Sequence, residues 1–374
     1  GIRRCGKSVI LNQIIDEIKL KNCDAGHIIY INFEYIEYEE LKDYKKLNKY
    51  IKDKIKDAKK YYIFLDEIQK VDKFEEEVNS LRASTSNTSI FITGSNSKLL
   101  SQELSTVLSG RYVLFNIYPL SYREFIELSK KNPKDEETFW NFVKWGGLPN
   151  RCQFEDEGNI KDYLHSVFDS IILRDVVDRL GLKDTILFNL LLQYVVDTTG
   201  REFSADNVIR FLKSEGKNVS TETLYMYLDA LCKALIIKKI YRYDIHGKAL
   251  LKTLNKYYMT DLGIAQIKNT DFEINKSFAI ENVVYNELLQ RGYDVYIGKT
   301  RTGEIDFIAT KDNIKEYYQV AYLLKDDEVI QREFGAYKGV NDDYPKYVLS
   351  LDKKDYSQDG IIHKNIIDWL LEEK

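Results

Sequence analysis

The chain has 374 residues, 44% hydrophobic and 30% charged, with a formal net charge of −4. This is the balance of an ordinary globular protein with room for two or three domains, and it is too near neutral to point to nucleic acid or away from it. Four cysteines, at 5, 23, 152 and 232, form no C-x-x-C pair, which argues against a zinc site or a disulfide framework and fits a reducing, cytoplasmic setting. No apolar run approaches the roughly 18–20 residues of a membrane span, and no secretory signal is visible, so no membrane partner is expected.

Gly1-Ile2-Arg3-Arg4-Cys5-Gly6-Lys7-Ser8 fits the phosphate-binding pattern G-x-x-x-x-G-K-[ST]. In such a loop the backbone N–H groups cradle phosphates, the lysine reaches the outer oxygens and the hydroxyl takes a Mg²⁺ position. Gly1, Cys5, Gly6, Lys7 and Ser8 are therefore the expected nucleotide-binding residues, with Ser8 also at the metal. Val9, Ile10, Leu11, Ile14, Ile15 and Ile18 follow at helical spacing, which would set the phosphates on a helix N-terminus. A loop of this kind follows a buried parallel strand, yet the chain begins on the loop without an initiator Met. The expectation is a fragment that lacks its first strand.

Residues 27–33, His-Ile-Ile-Tyr-Ile-Asn-Phe, read as a buried strand, and the lysine-rich stretch 42–60 reads as a solvated helix. Tyr61-Tyr62-Ile63-Phe64-Leu65-Asp66-Glu67 is an apolar run closed by two acids. That is the form of a strand whose aspartate belongs to the Mg²⁺ shell and whose glutamate orients an attacking water. Ser89-Ile90-Phe91-Ile92-Thr93 is a third strand, delivering Gly94, Ser95 and Asn96 to the same edge. A helix is expected over Lys98 to Ser109, then Gly110, Arg111 and a strand over 112–115.

These segments together resemble the AAA-type ATPases. Over nearly the whole chain they resemble bacterial and archaeal ATPases that couple such a module to a winged helix and a restriction-nuclease-like tail of uncharacterised function. The resemblance implies an α/β fold with a P-loop AAA-type parallel sheet, hydrolysis of Mg-ATP, and ATP and Mg²⁺ as cofactors. Glu67, Asn96 and Arg111 would be its catalytic residues, with Asp66 and Ser8 at the metal. Asn96 matches the first sensor, and Arg111 matches an arginine that in oligomeric relatives reaches a neighbour's nucleotide, which makes a homo-oligomer a candidate state. In that family the Ser89–Thr93 strand lies between the P-loop strand and the Asp66 strand, so loss of the first strand would leave an open edge. The domains expected are 1–118 for the ATPase core, 119–180 for a helical lid and connector, 181–265 for the winged helix and 270–374 for the nuclease-like domain.

In the lid, Gly146-Gly147-Leu148-Pro149 precedes Asn150 and Arg151, and the resemblance makes Arg151 a candidate nucleotide sensor. Helices over Ile186 to Val196, Ser204 to Ser214 and Ser220 to Leu235, then two strands, give the winged-helix order. Between Arg201 and Tyr258 eleven Lys and Arg stand against six Asp and Glu. Lys238, Lys239, Arg242, Lys248 and Lys252 are the candidate phosphate contacts, with DNA or a protein as the partner. In the tail, Glu281 and Asp306 match the first positions of a PD-(D/E)-x-K nuclease, but Gln319 stands in place of the second acid and Ala321 in place of the lysine. The metal loses an anionic ligand and the water its cation, so nuclease activity is not expected.

Overall fold

The structure, a computed structural model, describes residues 1–94, 112–172, 176, 184–268, 276–301 and 303–373. Its chain divides into two units, Gly1–Ile117 and Tyr118–Lys374.

In the first unit β1 (Ile28–Asn32), β2 (Tyr61–Asp66) and β3 (Thr88–Ile92) form a parallel sheet in the order β1-β2-β3. Successive side chains alternate between the two faces. On one face Ile29, Ile31, Ile63 and Leu65 pack with Leu47 and Ile51 of α2 (Tyr44–Lys54) and with Phe74, Val78 and Leu81 of α3 (Phe74–Ser84). On the other, Phe64 packs with Leu11 and Ile15 of α1 (Lys7–Leu20), flanked by Tyr30, Tyr62 and Phe91. Each such large side chain contributes about 1.5–3 kcal/mol when fully buried. The central strand β2 is covered on both faces, which is why it reads as an unbroken apolar run. Among the described strands β3 is last in this order, and all five of its residues are only half-buried. The strand expected over 112–115 does not form. Tyr112, Val113, Leu114 and Phe115 are 43%, 77%, 49% and 78% exposed, and no described strand offers this segment the ladder hydrogen bonds that extended chain needs.

The second unit opens with α4 (Tyr122–Ser129), α5 (Glu136–Trp145) and α6 (Glu157–Ile171). Ser121 and Glu124 close a capping box on α4. Next come α7 (Thr185–Asp197), α8 (Ala205–Ser214) and α9 (Thr221–Lys233), then the hairpin β4 (Ile237–Asp244) and β5 (Ala249–Met259). At the start of α9 Ser220 accepts the Thr223 N–H at 3.1 Å. The remaining elements are α10 (Leu262–Gln266), α11 (Lys276–Gln290), β6 (Asp294–Lys299), β7 (Glu304–Lys311), β8 (Ile314–Val320), α12 (Asp327–Gly335), β9 (Lys346–Ser350), β10 (Ile362–Asn365) and α13 (Ile366–Leu371).

All of these strands share one sheet, in the order β10-β9-β8-β7-β6-β4-β5. The boundary expected between 265 and 270 therefore has no counterpart in the sheet, because β4 pairs in parallel with β6 at Arg242↔Ile297, Tyr243↔Gly298 and Asp244↔Lys299. A bare two-stranded hairpin is marginal in water, and β6 supplies the third strand. The stretch 119–180, expected as a lid, is likewise built into this unit. The buried Asp261 carboxylate accepts the Gly147 N–H at 2.7 Å and the Gly263 N–H at 2.9 Å, so it fastens the end of α5 to the start of α10. Gly146, at φ +71, is required here, since a Cβ would lie 2.0 Å from Asp261 Oδ1.

Among the basic residues expected to meet nucleic-acid phosphates, Arg242 and Lys238 are turned to partners within the fold, which corrects their reading as phosphate contacts. Arg242 is 4% exposed and pairs with Glu202 at 2.9 Å and Glu304 at 3.5 Å. Lys238 is half-buried with its Nζ 4.0 Å from the centre of the Tyr118 ring, and Lys239 lies over Tyr241. Lys248 is exposed at the turn; the Lys252 side chain is outside the description.

Two outcomes follow from this packing. Asp261→Ala leaves two buried amides without an acceptor and is expected to cost about 2 kcal/mol or more in urea denaturation; an unchanged midpoint would show that the amides find other partners. Burial pushes the Lys238 ammonium down to about 7, whereas in the unfolded chain it titrates near roughly 10.4. Between those values the folded state binds fewer protons, so stability rises with pH across the window. Lys238→Met is expected to remove that rise, and an unaltered slope would place the titration elsewhere.

Candidate nucleotide-binding site

The loop before α1 turns through Arg4 at φ 64 and Gly6 at φ 97, the second a conformation that glycine adopts without steric cost. Ile2 and Cys5 are buried and anchor it. The Cys5 thiol donates to the Ile117 carbonyl at 3.6 Å, and a Cβ on Gly1 would stand 2.0 Å from that same carbonyl oxygen, so the backbone approach there requires glycine. Gly6 caps α1 with no side-chain hydrogen bond, which leaves first-turn amides to an outside acceptor. The buried Lys7 ammonium folds back onto the loop, donating to the carbonyls of Gly1 at 3.2 Å and Ile2 at 2.9 Å. Among the described residues no carboxylate pairs with it. The loop thus offers N–H groups and an unneutralised cation, a donor set that suits a polyanion. Ser8 follows in the first turn of α1.

Topology brings this loop to the edge that carries Asp66. The strands are parallel, and α1 returns to the start of β1 through the short segment 21–27, so its C-terminus lies at the strands' N-terminal edge. Its N-terminus, with Lys7 and Ser8, then lies at the C-terminal edge, where open α/β sheets bind ligands.

Asp66 is 0% exposed, and three donors converge on it. Tyr30 Oη and Asn32 Nδ2 each donate to Oδ2 at 3.1 Å, and Thr93 Oγ1 donates to Oδ1. Burial, with the Asp66 charge next, pushes the Tyr30 phenol up to about 12, so it remains a donor. Glu67 takes a left-handed backbone, φ 57 and ψ 43, a strain of about 1–3 kcal/mol of the kind found at functional sites. Thr93 holds it there: its hydroxyl accepts the Glu67 N–H at 3.1 Å and its carbonyl accepts the Ile68 N–H at 3.0 Å. The Glu67 carboxylate accepts from the Gln69 amide.

The sequence reading singled out Asp66 and Glu67 but passed over the residues that fix them. Asn32 is the register partner of Asp66, a signal visible only once β1 and β2 are paired. Thr93, one residue beyond β3, contacts both acidic positions. Ser95, Asn96 and Arg111 lie outside the described residues. Arg151 is buried in the second unit, donating to the Gly146 carbonyl and to Asn141 Oδ1 at 3.1 Å and stacking on Phe125 at 4.4 Å. It is committed to the turn beside it. Among the described residues no helix is long and apolar enough to cross a membrane.

Comparison with known proteins agrees with this geometry in the first unit. Residues 1–126 match the family described as an AAA domain, and residues 136–271 match a domain of unknown function, DUF8612. The chain is similar to the solved Walker-type ATPase PABY2304 of Pyrococcus abyssi at a TM-score of 0.47 and 16% identity, over 72% of this chain and 89% of that one, a likeness too loose to carry an argument. A Haemophilus influenzae protein described as uncharacterized is 37% identical over 100% of this chain and 93% of its own length. The uncharacterized protein MJ1544 of Methanocaldococcus jannaschii is 32% identical over 96% of this chain and 82% of its own. The first unit is a P-loop nucleotide-binding module of the AAA type, and the chain belongs to one family with these Haemophilus influenzae and Methanocaldococcus jannaschii proteins.

Proposed function

We propose that the first unit binds and hydrolyses Mg-ATP and that the second unit carries the effect of the nucleotide to a protein partner. The observation that carries the ATPase reading is the pairing of an acid-free, amide-lined loop with a fully buried, three-donor Asp66 at one sheet edge. Gly1, Cys5, Gly6 and Lys7 would hold the phosphates, and Ser8 and Asp66 would hold Mg²⁺. The ion, when bound, neutralises phosphate charge. The hydrogen bonds from Tyr30, Asn32 and Thr93 would hold the Asp66 carboxylate in place beside that ion. Lys7 can leave two neutral carbonyls for phosphate oxygens, a gain in charge-assisted hydrogen bonding. The strained Glu67 backbone aims the carboxylate that would orient the attacking water, with Asn96 and Arg111 as sensor and charge-stabilising residues on the sequence reading.

For the second unit we favour protein docking over DNA. The helix order α7-α8-α9 followed by the β4-β5 hairpin supports a winged helix, and α9 would be its recognition helix. That helix turns Glu222, Tyr225, Met226 and Asp229 outward, with Tyr225 and Met226 48% and 51% exposed, a face that repels phosphates and offers apolar area. A second reading, a nucleotide-gated module with little turnover, draws on the Gln69 amide that engages Glu67.

Steady-state ATPase and nucleotide titration test both readings. Glu67→Gln is expected to keep ATP affinity and lose at least about 100-fold in turnover, whereas Lys7→Ala is expected to weaken binding and hydrolysis together. Equal turnover in wild type and Glu67→Gln would end the catalytic assignment.

A further inference from the structure

The nuclease-like pattern in the tail lacks an acid and a lysine in sequence, yet the fold delivers both from other elements. Lys256 on β5 sets its Nζ 2.5 Å from Glu304 Oε1 and 3.5 Å from Glu281 Oε1. The Lys256 and Glu281 side chains are 6% and 7% exposed. Glu281 also accepts from the Tyr258 hydroxyl. Asp306 accepts the Val320 N–H at 2.8 Å, and the Lys256, Glu281 and Glu333 charges all bear on it. Glu333 on α12 is buried, accepts from the Gln319 amide at 2.9 Å, and pairs with Arg332 at 2.6 Å. Gln319 therefore stands as a bridge between Asp306, whose N–H it accepts at 3.3 Å, and Glu333.

Carboxylates gathered away from water require a cation, because each unpaired buried charge costs several kcal/mol. In a nuclease core that cation is a divalent metal. Here, among the described residues, no group of three His, Cys, Asp or Glu side chains is arranged to hold a metal ion, and an ammonium lies between the acids. On one side Gly200, at φ +76, turns over the cluster, and a Cβ there would stand 3.5 Å from both Glu281 carboxylate oxygens and 3.0 Å from the Phe278 ring, while the Glu304 side chain stays 23% exposed.

We propose that the Lys256 ammonium occupies the divalent-cation position of this cluster, a tethered counter-ion that pairs with Glu281 and Glu304 and keeps Mg²⁺ or Mn²⁺ out. Its Nζ meets a carboxylate oxygen of Glu304 at 2.5 Å and of Glu281 at 3.5 Å, so the cation is supplied from within the fold. The cluster then serves as a clamp: it ties the hairpin strand β5 to α11 and β7, with Arg242 on β4 joining through Glu304. The tail becomes a binding module closed to metal-dependent cleavage of phosphodiesters.

The test compares the full nucleotide-free chain with Lys256→Met, which removes the charge and keeps the length, by Mn²⁺ titration calorimetry and thermal unfolding. Lys256→Met is expected to lose about 5 °C or more in Tm, to bind one Mn²⁺ per chain beyond wild type, and to regain at least half of the lost Tm in millimolar Mn²⁺. Equal Mn²⁺ stoichiometry in the two proteins would overturn the proposal, as would Mn²⁺-dependent cleavage of plasmid DNA by wild type. If Lys256→Met does not fold, the double variant Lys256→Met/Glu281→Gln is expected to fold without metal and to bind no additional Mn²⁺. Failure of the double variant to fold, or extra Mn²⁺ bound by it, would equally overturn the assignment.

Discussion

A carboxylate taken out of water must be given donors or a cation, and three buried acids organise this molecule around that requirement. Asp66 takes neutral donors from β1 and from the residue after β3, so satisfying it fixes the C-terminal edge of the first sheet. Asp261 takes backbone amides and fastens α5 to α10. Glu281 takes a hydroxyl and an ammonium and fastens β5 to α11. The three solutions differ in what they leave for an outside ligand. Neutral donors around Asp66 bring no counter-charge of their own, amides around Asp261 hold two chain segments, and the ammonium beside Glu281 meets the charge internally.

The same contrast separates the two lysines of greatest interest. Lys7 rests on the neutral carbonyls of Gly1 and Ile2. Lys256 rests on carboxylates and has spent it. A carbonyl-held ammonium is poised because replacing a dipole with a charged oxygen gains energy, whereas exchanging one carboxylate for another gains little. Side-chain chemistry alone does not tell these two residues apart; the partners supplied by the fold do.

How much the sequence revealed follows from how local each signal is. The parallel strands 28–32, 61–66 and 88–92, the helix after Lys7 and the acids at 66 and 67 were legible because apolar β-branched runs, helical spacing and glycine-lysine turns are written in adjacent residues. The donors around Asp66 were not, because Tyr30, Asn32 and Thr93 meet it only after three separate segments are set in register. Arg242 was misread for the same reason: a cation count sees charge but not that Glu202 and Glu304 already own it. Gln319 and Ala321 spoke truly about their own positions, yet Lys256 and Glu333 come from a hairpin strand and a helix far along the chain. The strand expected over 112–115 had the right residues and no neighbour among the described strands, since β propensity expresses a fit to a surface more than a backbone preference.

The parallel pairing of β4 with β6 has a consequence for how the chain comes to be folded. Arg242 must wait for Ile297, so during synthesis the hairpin exists first as an unfinished sheet, with one row of amides and carbonyls unpaired until the residues of β6 have emerged. Closing that long loop is entropically slow compared with forming the helices α7 to α9 beside it. The second unit is therefore expected to pass through a helical, strand-exposed stage on the ribosome, and this is the point in its life at which chaperone protection matters most.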